Sequence, residues 1–363
     1  MISIGIMSGT SADGMDAAAI EIGEERPRPA IRLLAHVARD HPDALRYRII
    51  AAGSGAPLPA HDIAVLHAEL GVAYASIARE LIGVAGTRPA CIAVHGQTIA
   101  HFPGEHATLQ IGDASRVAVE TGVPVIDDFR SADIAVGGQG APLVPFADHL
   151  LFADGTARAI LNLGGIANLT LLPTSRSEDV RAFDTGPGNM IIDHLARKGG
   201  NELDRDGAAA ARGTVDPAAL ATALAHPYFA RTGPKSTGRE EFGAPFAQQL
   251  LNDVKGRSGS LDDAIATATA LTVESIARTL DGGPWAELVI AGGGARNVTL
   301  VERLRARTGL RIRLTDELGV PVEAREAMAF AILGAYRLRG EPNTLPACTG
   351  ASRAVSAGAV HAP

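Results

Sequence analysis

Each half of the chain opens on three strand-like segments in succession, and few folds accept that order. In the first half they are ISIGIM (2–7), MDAAAIEI (15–22) and AIRLLAHVA (30–38). In the second they are RAILNLG (158–164), IANLTLL (166–172) and VRAFDTG (180–186). The segments are short and apolar, several with β-branched residues, as in buried strands. Helical spacing follows the first triplet over 42–52 and 60–84, where Ile63, Leu66, Leu70, Ala73, Ile77 and Leu81 share one face. Then come the strand ACIAVHG, a helix opened by Asp113 and running to Thr121, and the strand VPVIDDF. The second half repeats the order, with helices over 187–197, 244–254 and 261–280, the strand AELVIAGGG, a helix over 296–307, the strand RIRLT and a helix over 322–338. A doubly wound sheet alternates strand and helix from its first strand. The order here predicts instead an α/β fold of two β-β-β-α-β-α lobes facing a cleft. The boundary is expected in the loop 131–141, giving an N-terminal lobe 1–135 and a C-terminal lobe 136–340. The turn-rich tail 341–363 is expected to pack back on the first lobe.

Composition narrows the function. With 363 residues and 46% apolar content, the chain can bury two sizeable cores. A net charge of −7 argues against a nucleic-acid binder, which needs a basic face. No uninterrupted apolar run reaches the roughly 18 residues of a membrane span. The chain begins directly on a strand, so no signal peptide is expected. Cys91 and Cys348 form no CxxC pair and read as free thiols of a cytoplasmic protein.

Four loops can carry chemistry. In MSGTSADGMD, Gly9 and Gly14 allow close backbone approach, Thr10 and Ser11 offer hydroxyls, and Asp13 and Asp16 could reach magnesium through water. An ordinary hairpin turn is the competing reading. Gly164 and Gly165 hold the same place in the second half, flanked by Asn162 and Asn168. Gly292, Gly293 and Gly294 follow a strand and precede a helix, where a phosphate or flat ring could approach the backbone. Asp184 ends a strand before a glycine-proline turn, as a general base or as a helix cap; Asp193 lies on the helix that follows. HGQT (95–98) and DDFRSAD (127–133) also follow strands. His95 can be structural or can line the cleft, Arg130 can bind an anion, and Glu326 can meet a sugar hydroxyl or solvent.

Taken together, GIMSGTSADGMD, HGQT, TLQIGD, DFRSADIAVGGQGAPLVP, NLGGIANLT, FDTGPGNMIID, STGREEF, AGGGARN and EAREAMAFA resemble the anhydro-N-acetylmuramic acid kinases over nearly the whole chain. The resemblance implies the two-lobed actin-like fold shared by sugar kinases and chaperone ATPases. It implies ATP and magnesium as cofactors, and the loop Gly9, Thr10, Ser11, Ala12, Asp13, Gly14, Met15 and Asp16 as the ATP loop, joined by Gly164, Gly165, Gly292, Gly293 and Gly294. Asp184 becomes the catalytic base, and His95, Arg130 and Glu326 the candidate substrate contacts. The wider superfamily carries aspartates where this chain has Met7 or Ser8, and Asn162, which leaves the metal-ordering side chains open.

The implied reaction opens a 1,6-anhydro amino sugar with water and phosphorylates its 6-oxygen, in cell-wall recycling. A homodimer is implied, with no nucleic-acid or membrane partner. A kinase for a plain anhydro sugar of the levoglucosan type is one alternative. A nucleotide-driven switch of the same fold, without a sugar, is another.

Overall fold

The computed structural model describes residues 1–9, 12–25, 28–233 and 235–363. The chain divides into two compact units: residues 1–152 with 319–363, and residues 153–318. Thirteen strands are numbered in chain order among the described residues. They are β1 (Ile2–Ser8), β2 (Gly14–Ile22), β3 (Ile31–Asp40), β4 (Cys91–Val94), β5 (Gln97–Phe102), β6 (Ala107–Ile111), β7 (Val125–Asp127), β8 (Arg158–Leu163), β9 (Ile166–Leu172), β10 (Arg181–Pro187), β11 (Glu287–Ala291), β12 (Arg311–Leu314) and β13 (Ala359–His361).

In the first unit one sheet runs β13-β7-β4-β1-β2-β3. β1 is antiparallel to β2 and parallel to β4, and β2 is antiparallel to β3. One face packs on the helix Ala60–Ala85, which buries Leu66, Leu70, Tyr74, Ile77 and Leu81 against Ile4, Ile6, Ala17 and Ala19. The other face takes the helix Arg325–Leu338. It sits so close that a Cβ on Gly5 would run into the Ala327 carbonyl and the Ala331 amide. Ser3 Oγ donates to Ala331 O at 2.8 Å across the same contact.

In the second unit the sheet runs β10-β9-β8-β11-β12. β8 is antiparallel to β9 and parallel to β11, and β11 is parallel to β12. Counted within each sheet, both read third-second-first-fourth-fifth strand; the β5–β6 hairpin stands outside the first sheet, and β13 is added at its edge. The helix Leu261–Leu280 forms much of this core. It starts on a capping box in which Ser260 Oγ and the Asp263 carboxylate hydrogen-bond each other's backbone. Among the described residues no helix is long and apolar enough to cross a membrane.

The boundaries differ from the sequence expectation. The loop 131–141, expected between lobes, lies inside the first unit. Asp133 is fully buried there, accepting from Thr349 Oγ1 at 2.8 Å and Gly140 N–H at 2.9 Å. The chain passes to the second unit at residue 153, and the helix expected at the end of the C-terminal lobe belongs to the first unit because it packs on Gly5. That helix begins at Arg325, three residues later than its spacing suggests. The tail returns antiparallel on β7 through β13. The β5–β6 hairpin and the short helices between 208 and 242 go beyond what periodicity indicates.

Candidate functional site

Polar residues of the second unit gather at the carboxyl ends of β8 and β11. Register sets Ala291, Asn162, Asn168 and Asp184 side by side across β11, β8, β9 and β10. Cross-strand partners project on one face, so the two asparagines and the aspartate make a polar row at the sheet end where open α/β sheets bind ligands.

Asp184 stands where β10 slips register against β9, just before Gly186. Gly186 has φ +150°, and a Cβ there would lie 2.8 Å from Phe229 Cε1, so the irregularity needs glycine. Each carboxylate oxygen of Asp184 accepts one hydrogen bond, from Asn168 Nδ2 at 2.8 Å and from Thr237 N–H at 3.0 Å. Its backbone is held as well: the amide donates to Lys235 O at 3.0 Å, and the carbonyl accepts from the Tyr228 hydroxyl at 2.7 Å. The Lys235 ammonium lies 4.6 Å from the centre of the Tyr228 ring.

Burial raises the Asp184 carboxyl above the usual aspartate range; the hydrogen bonds from Asn168 and Thr237 pull it back, and Glu240 adds to the rise. A carboxylate aimed by two donors and made more basic by desolvation suits a general base. It caps no helix: the N-cap of the helix Met190–Lys198 is Asn189. On that helix, burial pushes Asp193 up to about 6 against the charge of Arg197, with Asp204 helping.

The glycines fall into two groups. Gly164 and Gly165 join β8 to β9, and their carbonyls accept the amides of Asn189, Gly188 and Met190, which ties the turn to the start of the helix Met190–Lys198. Above these two glycines there is room: a Cβ would come no closer than 3.6 and 3.8 Å to any atom, and at Gly293 none lies within 4 Å. Gly292, at φ +83°, and Gly294 are tight instead, 2.6 Å from Asn162 Oδ1 and 2.7 Å from Leu163 Cβ. The second group lets the turn close on β8. The first leaves backbone open to a ligand.

In the first unit, Thr10 and Ser11 lie outside the described residues. Ala12 is fully buried at φ +55°, and its amide donates to Gly9 O at 3.1 Å. Gly14 is required by β3, since a Cβ would meet the Arg39 carbonyl. Met15 is buried. Asp13 pairs with Arg46 at 2.6 Å, and Asp16 with His36 at 3.1 Å. Among the described residues no group of three or more His, Cys, Asp or Glu side chains is arranged to hold a metal.

His95 is only 4% exposed. Arg130 Nη2 lies 2.8 Å from its Nε2. A guanidinium can only donate, so Nε2 is bare and Nδ1 carries the proton, facing Ser8 O at 3.4 Å. Burial, then the Arg130 charge, holds the imidazole down to about 3. Both ring nitrogens are engaged, leaving none for a sugar. Arg130 Nη1 donates to Gly140 O at 2.7 Å, while its buried Nε has no partner. Burial lowers this guanidinium to about 10. A cavity of about 290 Å³ is lined by His95, Gly96, Gln110, Asp127, Asp128 and Ser131, among others. Glu326 is partly buried in the first turn of the helix Arg325–Leu338.

Thr237, Lys235 and Tyr228 are not legible from the sequence as neighbours of Asp184. The one signal is STGREEF, which contains Thr237 and enters only as a mark of resemblance. Nothing local announces Tyr228, 44 residues from Asp184.

A held carboxylate beside open glycine turns, on a duplicated sheet order, is the equipment of an enzyme, and the relatives place it in the kinase class. The family model described as anhydro-N-acetylmuramic acid kinase matches residues 1–363. The anhydro-N-acetylmuramic acid kinase of Gloeobacter violaceus is 44% identical over 374 residues, covering 99% of this chain and 98% of its own. That of Salinibacter ruber is 41% identical over 386 residues, covering 99% and 96%. That of Xanthomonas axonopodis pv. citri is 42% identical over 368 residues, covering 99% and 97%. The chain belongs to the anhydro-N-acetylmuramic acid kinase family. Among solved structures, the activator of the 2-hydroxyisocaproyl-CoA dehydratase from Clostridium difficile with bound ADPNP aligns over 93% of this chain and 97% of its own. Its TM-score is 0.47 at 13% identity, a likeness too distant to bear on function.

Proposed function

We propose that this chain uses ATP and water to convert 1,6-anhydro-N-acetylmuramic acid to N-acetylmuramic acid 6-phosphate and ADP, as a step of peptidoglycan recycling. The names of its full-length relatives support the substrate. The observation that carries the mechanism is the Asp184 carboxylate, aimed by Asn168 and Thr237 and raised by burial. Asp184 takes a proton from water as the water oxygen bonds to the anomeric carbon. The bond from that carbon to O6 breaks, and O6 bonds to the γ-phosphorus as ADP leaves. The freed oxygen is capped by phosphate and needs no separate acid.

The proposed nucleotide contacts are Gly9 to Asp16, including Thr10 and Ser11, with Gly164, Gly165 and Gly292 to Gly294. The room above Gly165 and Gly293 fits phosphate oxygens against backbone amides, while the Gly164 amide is spent on Ile166 O at 3.2 Å. Magnesium would neutralise phosphate charge, held through the phosphates and water, since Asp13 is already engaged by Arg46 and Asp16 by His36. Arg130 and Glu326 are the proposed sugar contacts. The unpartnered Arg130 Nε suits a carboxylate such as the lactyl group, and His95 stands behind Arg130 to hold it. The family resemblance supports a cytoplasmic homodimer.

The test is phosphate transfer from ATP to purified 1,6-anhydro-N-acetylmuramic acid, with the product identified by mass. Equal turnover of levoglucosan would point to a kinase for plain anhydro sugars. ATP hydrolysis indifferent to any sugar would remove the kinase reading.

A further inference from the structure

We propose that His41 is a positioning residue for the first loop, acting through a one-way chain of hydrogen bonds that runs from His41 through Ser8 and Gln97 to the carbonyl of Gly9. This rests on reading Gly9 to Asp16 as the nucleotide loop.

Donor inventory fixes the direction of the chain. Gln97 lies between Ser8 Oγ at 2.6 Å and Gly9 O at 3.1 Å. A carbonyl can only accept, so the amide nitrogen of Gln97 faces Gly9 and its Oε1 faces Ser8. Ser8 therefore gives its single proton to Gln97, with a longer 3.3 Å contact to Gly14 O beside it. The Ser8 oxygen is left to accept, and His41 Nε2 stands 3.3 Å from it. His41 must carry its proton on Nε2. Its Nδ1, buried and without a partner, is the bare nitrogen. Ser8, His41 and Gln97 are each at most 5% exposed, so water does not compete for these bonds. Burial also lowers the imidazole, outweighing the charges of Asp13 and Asp40, which favours the neutral form that this chain uses.

The same residue holds the other end of the loop. The backbone amide of His41 donates to Asp13 O at 2.9 Å. Gly9 O receives a second donor, the amide of Ala12 at 3.1 Å. An unpaired carbonyl in a phosphate loop would repel the anion, and here it is engaged twice within the protein. The HGQT segment thus acts on the loop through Gln97, while its histidine serves Arg130.

The test compares His41→Leu with His41→Gln. Leucine fills similar volume without a donor; glutamine returns an amide N–H near the Nε2 position. Each purified protein is titrated with a non-hydrolysable ATP analogue and assayed with ATP and the anhydro sugar. His41→Leu should raise the analogue's Kd and the KM for ATP about tenfold, the worth of one buried hydrogen bond. It should leave the KM for sugar and kcat at saturating ATP within about twofold, and His41→Gln should recover most of the loss. Should the leucine variant not fold, Gln97→Met cuts the last link and must show the same split. Analogue binding by a folded His41→Leu or Gln97→Met protein that equals wild type overturns the proposal, as does a glutamine variant no better than leucine. Failure of the wild type to bind the analogue would instead overturn the reading of the loop.

Discussion

Arg325 and Asp148 meet as a two-point ion pair, Nε to Oδ1 at 3.0 Å and Nη2 to Oδ2 at 2.5 Å, with side chains 4% and 0% exposed. The bond joins the helix Val144–Phe152, where the chain is about to leave the first unit, to the helix Arg325–Leu338, just after it returns. Removing one partner strands a buried charge. Arg325→Met should lower stability by about 3–5 kcal/mol in urea denaturation. The double change Arg325→Met with Asp148→Leu should recover most of it, because the uncompensated carboxylate is then gone.

Asp184→Asn should reduce turnover by roughly 10²–10⁴-fold, the range of a lost general base. Folding should survive. Burial raises this carboxyl, so the folded state disfavours its charge at neutral pH, a cost relieved as pH falls through the folded value. Asparagine removes the charge, and Asn168 can turn its amide over to accept from it. The unfolding midpoint should therefore be no lower than wild type. Near-normal turnover would exclude the base role.

The pH profile separates the donors from the base. The proposed base role needs Asp184 ionised, so on that reading kcat/KM should fall as pH drops through its value, above the usual aspartate range near 4. Asn168→Ala removes the strongest influence holding that value down. The acid limb should move to higher pH, with the alkaline side unchanged. An unmoved limb with reduced kcat would mean that Asn168 only aims the group.

Two glycines should respond in opposite ways. Gly5→Ala forces a Cβ into the backbone of the helix Arg325–Leu338 and should cost about 1–3 kcal/mol or more in thermal unfolding. Gly293→Ala meets nothing within 4 Å and should leave stability nearly unchanged. If Gly293 is nucleotide-facing, that same variant should weaken binding of an ATP analogue severalfold. Unaltered binding would take Gly293 out of the site.

The β-β-β-α-β-α order is legible in the sequence because each strand is short, buried and bounded by turn residues, and because the helix Ala60–Ala85 keeps its spacing for several turns. The domain boundary is not. Residues 131–141 look like a linker by composition, and only tertiary contacts mark them as part of one unit: Asp133 with Thr349, Gln139 N–H with Thr349 O, and Ser352 N–H with Val136 O. Glycine runs mark the turns, but sequence does not distinguish Gly14, where a Cβ would run into the Arg39 carbonyl, from Gly293, where a Cβ would meet nothing within 4 Å. His95 illustrates the same limit: its motif draws attention, while its partners, Arg130 and Ser8, lie far along the chain.

The tight seat of the helix Arg325–Leu338 on Gly5 has a consequence for biosynthesis. Residues 153–318 are continuous, so the second unit has every core partner before residue 325 leaves the ribosome. The β1 face at Gly5 cannot be covered until the helix Arg325–Leu338 arrives. Newly made β1 therefore waits with one face bare through most of translation, and the N-terminal part of the chain is the part that stands in need of protection from its neighbours.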